Sequence, residues 1–199
     1  MPPKFIFVRH GEAEHNVAFH ENNRDERVFL DEKYRDAPLT QKGIDQARKT
    51  GLELNNLNIL DIWSSPLTRC IQTAEELFEE TGAQNIYLHD NLLERLGGGH
   101  YCNERKVKKD LQSKYVGLNM NHLSEFAPLW IERENITSLY HRMLSFVLLL
   151  STLYDRLPDS KYIGIVSHRD AIMTLTGREL QNAEPVILSL GEILERWNK

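Results

Sequence analysis

Phe5-Ile6-Phe7-Val8-Arg9-His10-Gly11-Glu12 is the stretch of sequence that most clearly indicates the fold. Its four apolar residues, rich in aromatic and β-branched side chains, predict a short buried strand. The strand is followed by a cation, an imidazole, a glycine and a carboxylate, and the glycine lets the backbone turn sharply and approach a ligand. Open α/β sheets bind their ligands at the carboxyl ends of their strands. The polar residues are therefore candidates for a binding site, although an Arg-His pair also occurs at simple solvated strand ends.

The composition is that of an ordinary soluble globular protein. The 199 residues are 41% hydrophobic and 27% charged, which predicts a single domain over residues 1–199. The formal net charge of −5 argues against a nucleic-acid-binding protein. The two cysteines, Cys70 and Cys102, indicate a reducing compartment. No signal peptide is recognised before the first strand, and the apolar stretch Met143–Leu150 is far shorter than the roughly 20 residues of a membrane span. We expect a cytoplasmic protein with neither a nucleic-acid nor a membrane partner.

Strands and helices alternate along the rest of the chain. Further strands are predicted at 59–63, 86–88 and 162–166, with an edge strand at 186–190. Helices are predicted from Thr40 to about residue 54, from Pro66 to 80, from Asn135 to about 154 and from His168 to 177. This alternation predicts an α/β fold, a three-layer α/β/α sandwich with a mostly parallel central sheet.

Two segments break the alternation. Residues 15–36 predict a long loop or irregular helix over the pocket. Residues 96–134 begin with the flexible run Gly97-Gly98-Gly99 and are interpreted as a lid insertion that is partly helical at 103–115. The insertion carries a basic run, consisting of Arg105, Lys106, Lys108, Lys109 and Lys114. Such runs are usually a solvated helix face. Alternatively, some of these side chains close over a second anionic group of the substrate.

Two predicted strands end in a histidine at a strand-to-helix turn, His10 after the first and His168 after the fourth. Arg69 lies just inside the helix that follows Ser64-Ser65-Pro66. In a parallel sheet these strand ends point the same way, so one face is expected to hold two imidazoles and two guanidiniums, Arg9 included. Cations at short range repel each other, and a dianion relieves the repulsion. Arginine grips phosphoryl oxygens through paired charge-assisted hydrogen bonds, so the pattern indicates a phosphate site.

A set of short motifs extends over most of the chain outside the insertion. The pieces are Arg9-His10-Gly11-Glu12 with Asn16, Asp36-Ala37-Pro38-Leu39-Thr40 with Gly43 and Gln46-Ala47, Ser64-Ser65-Pro66-Leu67-Thr68-Arg69 with Gln72-Thr73-Ala74, Leu93-Glu94-Arg95, Glu134 with Arg142, and Val166-Ser167-His168. In this order and spacing they resemble the motifs of the histidine phosphatase superfamily, also described as phosphoglycerate mutase-like.

The resemblance implies that His10 is the nucleophile, which attacks phosphorus and forms a phosphohistidine that water or a second hydroxyl resolves. Neutral imidazole is common near pH 7, because the ordinary pKa of histidine is about 6.5. The other ring nitrogen of His10 is expected to donate to a backbone carbonyl. Arg9 and Arg69 would hold the non-transferring oxygens, with His168 as a third donor and Asn16 as a neutral one. We expect neither a metal nor a cofactor, since the two arginines take the role that magnesium often has.

Glu94 is the candidate proton donor for the leaving group. A carboxylic acid kept protonated in a partly dry pocket can supply that proton, and the family often has its acid at this match. Alternatively, Glu94 is a solvated surface residue beside Arg95. Glu12 is the second candidate donor and a candidate substrate-binding residue, or else a residue that orients Arg9 or Arg69.

The departures from the family pattern favour transfer to water. Mutases tend to carry an aromatic-asparagine pair after the first motif, whereas this chain has Glu14-His15-Asn16-Val17, and it is shorter than a typical mutase. His15 and His20 are interpreted as loop residues. Arg169 replaces a residue that is usually small, and its side chain is expected either to add charge to the pocket or to pair with Asp170 or Glu12.

The sequence thus predicts a metal-independent phosphatase that hydrolyses a small phosphorylated substrate. One alternative is a phosphoglycerate mutase. Another is a catalytically silent module that binds a phosphorylated partner. The presence of the full predicted set argues against the silent module, that set being Arg9, His10, Arg69, Glu94 and His168.

Overall fold

A six-stranded sheet forms the centre of the computed structural model, which describes residues 3–128, 132–158 and 160–196. The strands are β1 (Lys4–Arg9), β2 (Asn58–Ser64), β3 (Asn85–His89), β4 (Asn119–His122), β5 (Lys161–Ser167) and β6 (Pro185–Ser189). Their order is β4-β3-β2-β5-β1-β6. Every pairing among the described strands is parallel except that of β1 with β6. The predicted α/β fold with a mostly parallel sheet is confirmed.

Helices cover both faces of this sheet. They are α1 (Glu14–Glu21), α2 (Gln41–Leu54), α3 (Thr68–Thr81), α4 (Lys108–Lys114), α5 (Ile136–Leu153), α6 (Arg169–Thr176) and α7 (Leu190–Glu195). The alternation of side chains along β1 divides the core in two. Phe5 and Phe7 pack with α5, α6 and α7, whereas Ile6 and Val8 pack with α2, α3 and α4. Because both faces of β1 are apolar, both need a covering layer, and the three-layer sandwich follows.

The carboxyl ends of β1, β5 and β2 lie side by side at one edge of the sheet. Val166 of β5 lies opposite Val8 on one side and Ser64 on the other. The chain beyond β1 stays beside β5, since the backbone N of His10 donates to the carbonyl O of Ser167 at 3.0 Å. Residues that follow these strands therefore converge, as the parallel arrangement requires.

The predicted start of helix α3 is wrong, because the helix begins at Thr68 and not at Pro66. The carboxylate of Asp36 accepts from the backbone N of Thr68 at 2.7 Å and from its Oγ1 at 2.7 Å. A carboxylate at this position satisfies free N–H groups and interacts favourably with the helix dipole. Asp36 is 32 residues away in sequence, so no local capping pattern indicates it.

The two irregular segments contain more regular structure than the sequence predicts. Residues 15–36 form most of α1 and two 3₁₀ helices, Glu26–Leu30 and Glu32–Tyr34. In the insertion, α4 is shorter than the predicted helix, and β4 extends the sheet beside β3. The segment interpreted as a helical lid therefore also supplies a strand, while residues 129–131 lie outside those described.

Gly11 is required by the packing of the loop after β1 against helix α2. A side chain at Gly11 would collide with the backbone carbonyl of Gly43, and one at Gly43 would collide with the carbonyl of Glu12. The two glycines let the loop lie directly on the first turn of α2. The close approach is thus to the protein's own backbone, whereas the sequence predicts an approach to a ligand.

Helix α5 is the amphipathic core helix that its apolar stripe predicts. Leu139, Met143 and Phe146 are buried in the core on one face of the sheet, and the side chain of Asn135 caps the helix. Its length and apolar composition would also suit a membrane-crossing helix, but core helices share that property.

Candidate active site

His10 follows β1 with one ring nitrogen unprotonated. Its Nδ1 lies 2.7 Å from the carbonyl O of Gly11. A carbonyl only accepts, so Nδ1 carries the hydrogen and Nε2 has the lone pair. Nε2 accepts from Nε of Arg69 at 3.2 Å. Burial, together with the charges of Arg69 and Arg9, holds the pKa of His10 well below its usual range. The ring is therefore neutral, and the expected bond to a backbone carbonyl is present.

Arg69 extends from the first turn of α3 and is 1% exposed. Besides its bond to His10, its Nη1 donates to the carbonyl O of Cys102 at 2.6 Å, and its Nη2 donates to Oδ1 of Asn103 at 2.9 Å. All of these acceptors are neutral. Among the described residues no carboxylate oxygen lies within 4.0 Å of its nitrogens. The positive charge of Arg69 therefore has no direct counter-charge among the residues that the structure describes.

His168 lies beneath Arg69 and is fully buried. Its Nδ1 accepts from Nη2 of Arg69 at 3.2 Å, since a guanidinium only donates, and its Nε2 donates to Oγ of Ser65 at 2.8 Å. The ring centroids of His10 and His168 are 5.2 Å apart. Burial, followed by the charge of Arg69, holds the pKa of His168 well below its usual range. The structure brings His168 into the cluster. It contacts Arg69 there but is not among the residues that line the cavity.

Arg9 lies at the cavity wall with one nitrogen unsatisfied. Its Nη1 donates to the carbonyl O of Leu180 at 2.8 Å. Its buried Nε has no hydrogen-bond partner among the described residues. Burial lowers the pKa of the guanidinium. A buried donor without an acceptor costs about 1–3 kcal/mol, and here the donor belongs to a residue that lines the cavity.

Glu94 lines the same cavity and also caps helix α6. Its Oε1 accepts from the backbone N of Ala171 at 3.2 Å and its Oε2 from that of Asp170 at 3.3 Å. Burial, followed by the charge of Asp170, raises the pKa of Glu94. A raised pKa is what a proton donor needs. Glu94 is thus a half-buried cavity residue and not a solvated surface glutamate.

The structure places Glu12 outside the cavity. Its Oε2 lies 2.8 Å from Nζ of Lys42, and its Oε1 accepts from Oγ1 of Thr40 at 3.0 Å. The hydrogen bond from Lys42 lowers the pKa of Glu12, which is the opposite of what a proton donor needs. The prediction of Glu12 as a proton donor, a substrate-binding residue or a residue that orients an arginine is therefore not supported. Instead, Glu12 connects the loop after β1 to the start of α2.

The interpretation of His15 and His20 as loop residues is also wrong. Both lie in helix α1 and line the cavity, and His15 is buried. Asn16 lines the cavity as well. Its Oδ1 accepts from the backbone N of Ala13 at 3.0 Å, and its Nδ2 lies 3.1 Å from Nε2 of His15. The amide is thus held by its own helix.

Three other motif residues position the loops around the cavity. Oγ1 of Thr73 accepts from the backbone N of Gly11 at 3.1 Å. The side-chain oxygens of Gln46 and Gln72 accept from backbone N–H groups of the first motif and of the loop before α2, respectively. These polar side chains satisfy backbone donors that have no other partner in regular structure. Their contribution to the site is architectural.

The cavity in front of His10 has a volume of about 410 Å³, within the range of small-molecule sites. Part of its wall is aromatic, with the rings of Phe19 and Phe29 stacked 5.0 Å apart. Charged residues outside the predicted catalytic and binding set also line it, namely Arg24, Glu26, Arg133, Arg169, Asp170 and Glu179. Arg169 pairs with Glu179 at 2.8 Å, and neither of its two predicted partners is involved.

The basic run of the insertion does not line this cavity. Arg105 is buried and binds Asp90, with Nε and Oδ1 2.7 Å apart. The alternative in which this run closes over a second anion is therefore not supported. Arg24 and Arg133 supply cationic groups instead. Arg133 directly precedes the motif residue Glu134, and that adjacency is a sequence signal that could have found it, whereas Arg24 has none.

The family follows from these observations and from a match to a family model. The histidine phosphatase superfamily (branch 1) matches residues 5–188. Because this match covers nearly the whole chain, the protein belongs to the histidine phosphatase superfamily. The resemblance drawn from the sequence motifs is confirmed.

The curated relatives include two phosphoglycerate mutases and a probable phosphatase of Schizosaccharomyces pombe, which is 34% identical over 90 residues, covering 45% of this chain and 28% of that protein. The chain is 34% identical over 119 residues to 2,3-bisphosphoglycerate-dependent phosphoglycerate mutase 2 of Lactobacillus johnsonii, covering 58% of this chain and 47% of the mutase. Across the curated relatives the match spans 28% to 63% of their own length.

Solved structures share the fold at low sequence identity. Mycobacterial glucosyl-3-phosphoglycerate phosphatase, in complex with VO3, has a TM-score of 0.65 at 19% identity, over 94% of this chain and 91% of that one. A mutant phosphoserine phosphatase of Entamoeba histolytica, in complex with phosphoserine, has a TM-score of 0.54 at 22% identity, over 94% and 95%. At these identities the likeness concerns the fold.

Proposed function

We propose that the protein is a metal-independent phosphomonoester hydrolase that works through a phosphohistidine on His10. The observation that carries this proposal is the pairing of a neutral nucleophile with an uncompensated cation. Nε2 of His10, which has the lone pair, lies 3.2 Å from Nε of Arg69, and Arg69 has no carboxylate partner among the described residues. A phosphoryl group placed there would meet an attacking atom and a positive charge together.

The reaction proceeds in two steps. Nε2 of His10 attacks phosphorus, the bond from phosphorus to the ester oxygen breaks, and protonated Glu94 gives its proton to the leaving alkoxide. Water then attacks the phosphohistidine and passes its proton to the Glu94 carboxylate, and the bond between phosphorus and nitrogen breaks. Inorganic phosphate leaves, and both residues return to their starting states.

The two arginines stabilise the charge that spreads over the phosphoryl oxygens. Phosphoryl transfer depends mainly on positioning and on electrostatic stabilisation, which metal ions supply in many enzymes. Arg69 and Arg9 supply that positive charge here, and the unsatisfied Nε of Arg9 is already desolvated. His168 acts through Arg69 by accepting from its Nη2. We assign it a positioning role.

The test is turnover of a generic aryl phosphate by the wild-type protein and by His10→Ala. We expect the variant to be slower by on the order of 10⁴-fold or more, as for other enzymes that lose their nucleophile. His141→Ala changes an exposed histidine of α5 and is the matched control, with turnover unchanged. Wild-type turnover in His10→Ala would overturn the proposal.

Phosphoglycerate mutase activity is the second candidate, because a mutase is among the relatives that are 34% identical. The two reactions share the phosphohistidine and differ in what resolves it. Enzyme labelled with radioactive phosphate is offered monophosphoglycerate in water. We expect the label in inorganic phosphate, whereas label in bisphosphoglycerate would identify a mutase.

The substrate that we propose is a small phosphorylated metabolite. The cavity volume of about 410 Å³ suits a molecule of that size. Two proteins with the same fold are described as phosphatases of glucosyl-3-phosphoglycerate and of phosphoserine. A turnover screen over phosphorylated sugars, amino acids, nucleotides and inositols would identify the preferred ester.

A further inference from the structure

Two residues that line the cavity in front of His10 each have a buried side-chain nitrogen without a hydrogen-bond partner. These nitrogens are Nε of Arg9 and Nδ1 of His15. In the part of the chain that the structure describes, the other such side-chain atom is the hydroxyl oxygen of Tyr115, which lies away from this cavity. Buried polar groups are normally paired. In the proposed reaction, the phosphoryl group gives Nε of Arg9 an acceptor. Nδ1 of His15 has no acceptor in that reaction.

Asn16 determines which nitrogen of His15 carries the hydrogen. The backbone N of Ala13 donates to Oδ1 of Asn16 at 3.0 Å, so the amide is oriented with Nδ2 towards His15. An amide nitrogen only donates. Nε2 of His15, 3.1 Å from that nitrogen, must therefore accept. In the neutral ring the hydrogen is then on Nδ1, the nitrogen that has no partner.

The neutral state of His15 follows from its surroundings. The side chain is 5% exposed. Burial, followed by the charges of Arg69 and Arg9, holds the pKa of His15 well below its usual range. A doubly protonated ring would also point an N–H group at the amide hydrogens of Asn16. The site therefore presents a neutral N–H donor of fixed direction.

His15 lies close to the reacting centre. Its ring centroid is 6.2 Å from that of His10, and it packs edge-on against Phe29 with centroids 6.0 Å apart. His10, His15, Arg9 and Arg69 line one cavity, so a phosphoryl group on His10 would be close to the His15 ring. A donor in this position can reach a phosphoryl oxygen without adding a further cation beside Arg9 and Arg69.

We propose that His15 binds the substrate by donating a hydrogen bond from Nδ1–H to a phosphoryl oxygen, and that Asn16 is the positioning residue that fixes its tautomer. The proposal rests on the proposed phosphatase function and adds one neutral donor to it. The sequence predicts Asn16 as a direct donor to the phosphate. The geometry instead routes the contribution of Asn16 through the imidazole of His15.

The first test compares His15→Phe with His15→Asn. Phenylalanine keeps the ring packing on Phe29 and removes the donor, whereas asparagine can place an N–H group near the original Nδ1. We expect inorganic phosphate to bind His15→Phe about tenfold more weakly in calorimetry, the loss typical of one hydrogen bond to a charged group. His15→Asn should bind within a few-fold of wild type.

Turnover should follow binding in these variants. A contact made equally in the ground state and the transition state changes KM more than kcat, so we expect KM to rise in His15→Phe and kcat to change less. Equal phosphate affinity in wild type and His15→Phe would overturn the proposal. A higher KM with unchanged phosphate affinity would place the contact on the leaving group and would also overturn it.

The second test uses wild-type protein labelled with ¹⁵N-histidine and does not depend on how any variant folds. We expect His15 to show the Nδ1–H tautomer, and its Nδ1–H signal to shift when inorganic phosphate is added. An Nε2–H tautomer, or a signal that phosphate does not move, would overturn this inference alone. Absence of phosphate binding and of turnover in the wild type would instead overturn the proposed function, and this inference with it.

Discussion

Arg69 and Arg142 are two largely buried arginines that differ in what neutralises their charge. Arg142 binds the carboxylate of Glu134, with Nη2 to Oε2 at 2.7 Å and Nε to Oε1 at 3.0 Å. Arg69 donates to neutral acceptors, among them His10 and His168. Buried charges are normally paired. The charge of Arg142 is neutralised by Glu134, whereas Arg69 has no carboxylate partner among the described residues, which suits the phosphate-binding role proposed for it.

The two arginines also differ in what they position. Arg142 donates to the carbonyl oxygens of Asn91 and Leu93 at 2.7 and 2.9 Å, and so fixes the segment that carries Glu94 into the cavity. Arg69 instead contacts His10, the proposed nucleophile. A buried guanidinium is therefore informative about function only once its counter-charge is known.

The largest effect on stability is expected for Arg142→Met. This substitution leaves the 1%-exposed Glu134 without its partner, and breaking a buried ion pair in this way typically costs about 3–5 kcal/mol of unfolding free energy. Chemical denaturation measures the loss. Adding Glu134→Gln to the same protein removes the stranded charge and should restore part of it. A loss below about 1 kcal/mol would show that the pair is not the structural element described.

Arg69→Met should reverse the balance between stability and catalysis. It strands no carboxylate, so we expect a smaller loss of unfolding free energy than in Arg142→Met. Transition-state stabilisation should fall by about 2 to 4 kcal/mol, as for other preorganised donors, measured as kcat/KM with an aryl phosphate. Arg48→Met, which removes an exposed arginine paired with Glu76, is the control. Equal kcat/KM in Arg69→Met and Arg48→Met would contradict the catalytic role of Arg69.

The pH dependence of kcat/KM should show two limbs. The pKa of His10 is lowered, so the nucleophile is lost only as pH falls well below the usual histidine range. The pKa of Glu94 is raised, so the proton donor is lost as pH rises through that value. Glu94→Gln should remove the alkaline limb and slow alkyl phosphates far more than an aryl phosphate. Equal slowing of both esters would move the acid role elsewhere.

The smallest effect is expected for Glu12→Gln. The carboxylate lies outside the cavity and binds Lys42, whose side chain is 68% exposed. Solvent-exposed pairs of this kind contribute about 0–1 kcal/mol, so unfolding free energy should change by no more than that and kcat/KM should stay close to wild type. A loss on alkyl phosphates as large as that of Glu94→Gln would return Glu12 to the list of candidate acids.

The parts of the site that the sequence predicts are those set by strand ends. His10 and His168 follow the apolar runs of β1 and β5, and parallel pairing brings any two such ends together. Arg69 could be added because it lies early in the next helix. Glu94 follows β3 at the same edge. These positions depend on local patterns and on one rule of topology.

Long-range contacts decide the rest. Helix α3 begins at Thr68 because Asp36 reaches it from a distant loop. Glu12 turns away from the cavity because Lys42 and Thr40 of another segment bind it. Strand β4 is not predicted, because its residues, Asn119–His122, have no apolar alternation and it forms beside β3. In each case the determining partner is remote in sequence.

The most direct test of the account is to identify the residue that carries the phosphoryl group. Wild-type enzyme is mixed with a labelled phosphomonoester, quenched at alkaline pH, at which phosphohistidine is stable, and digested for mass spectrometry. We expect the phosphoryl group on the peptide that contains His10, and none in His10→Ala. Label on His15 or His168, or turnover by the wild type without any phosphoenzyme, would contradict the assignment of His10 as the nucleophile.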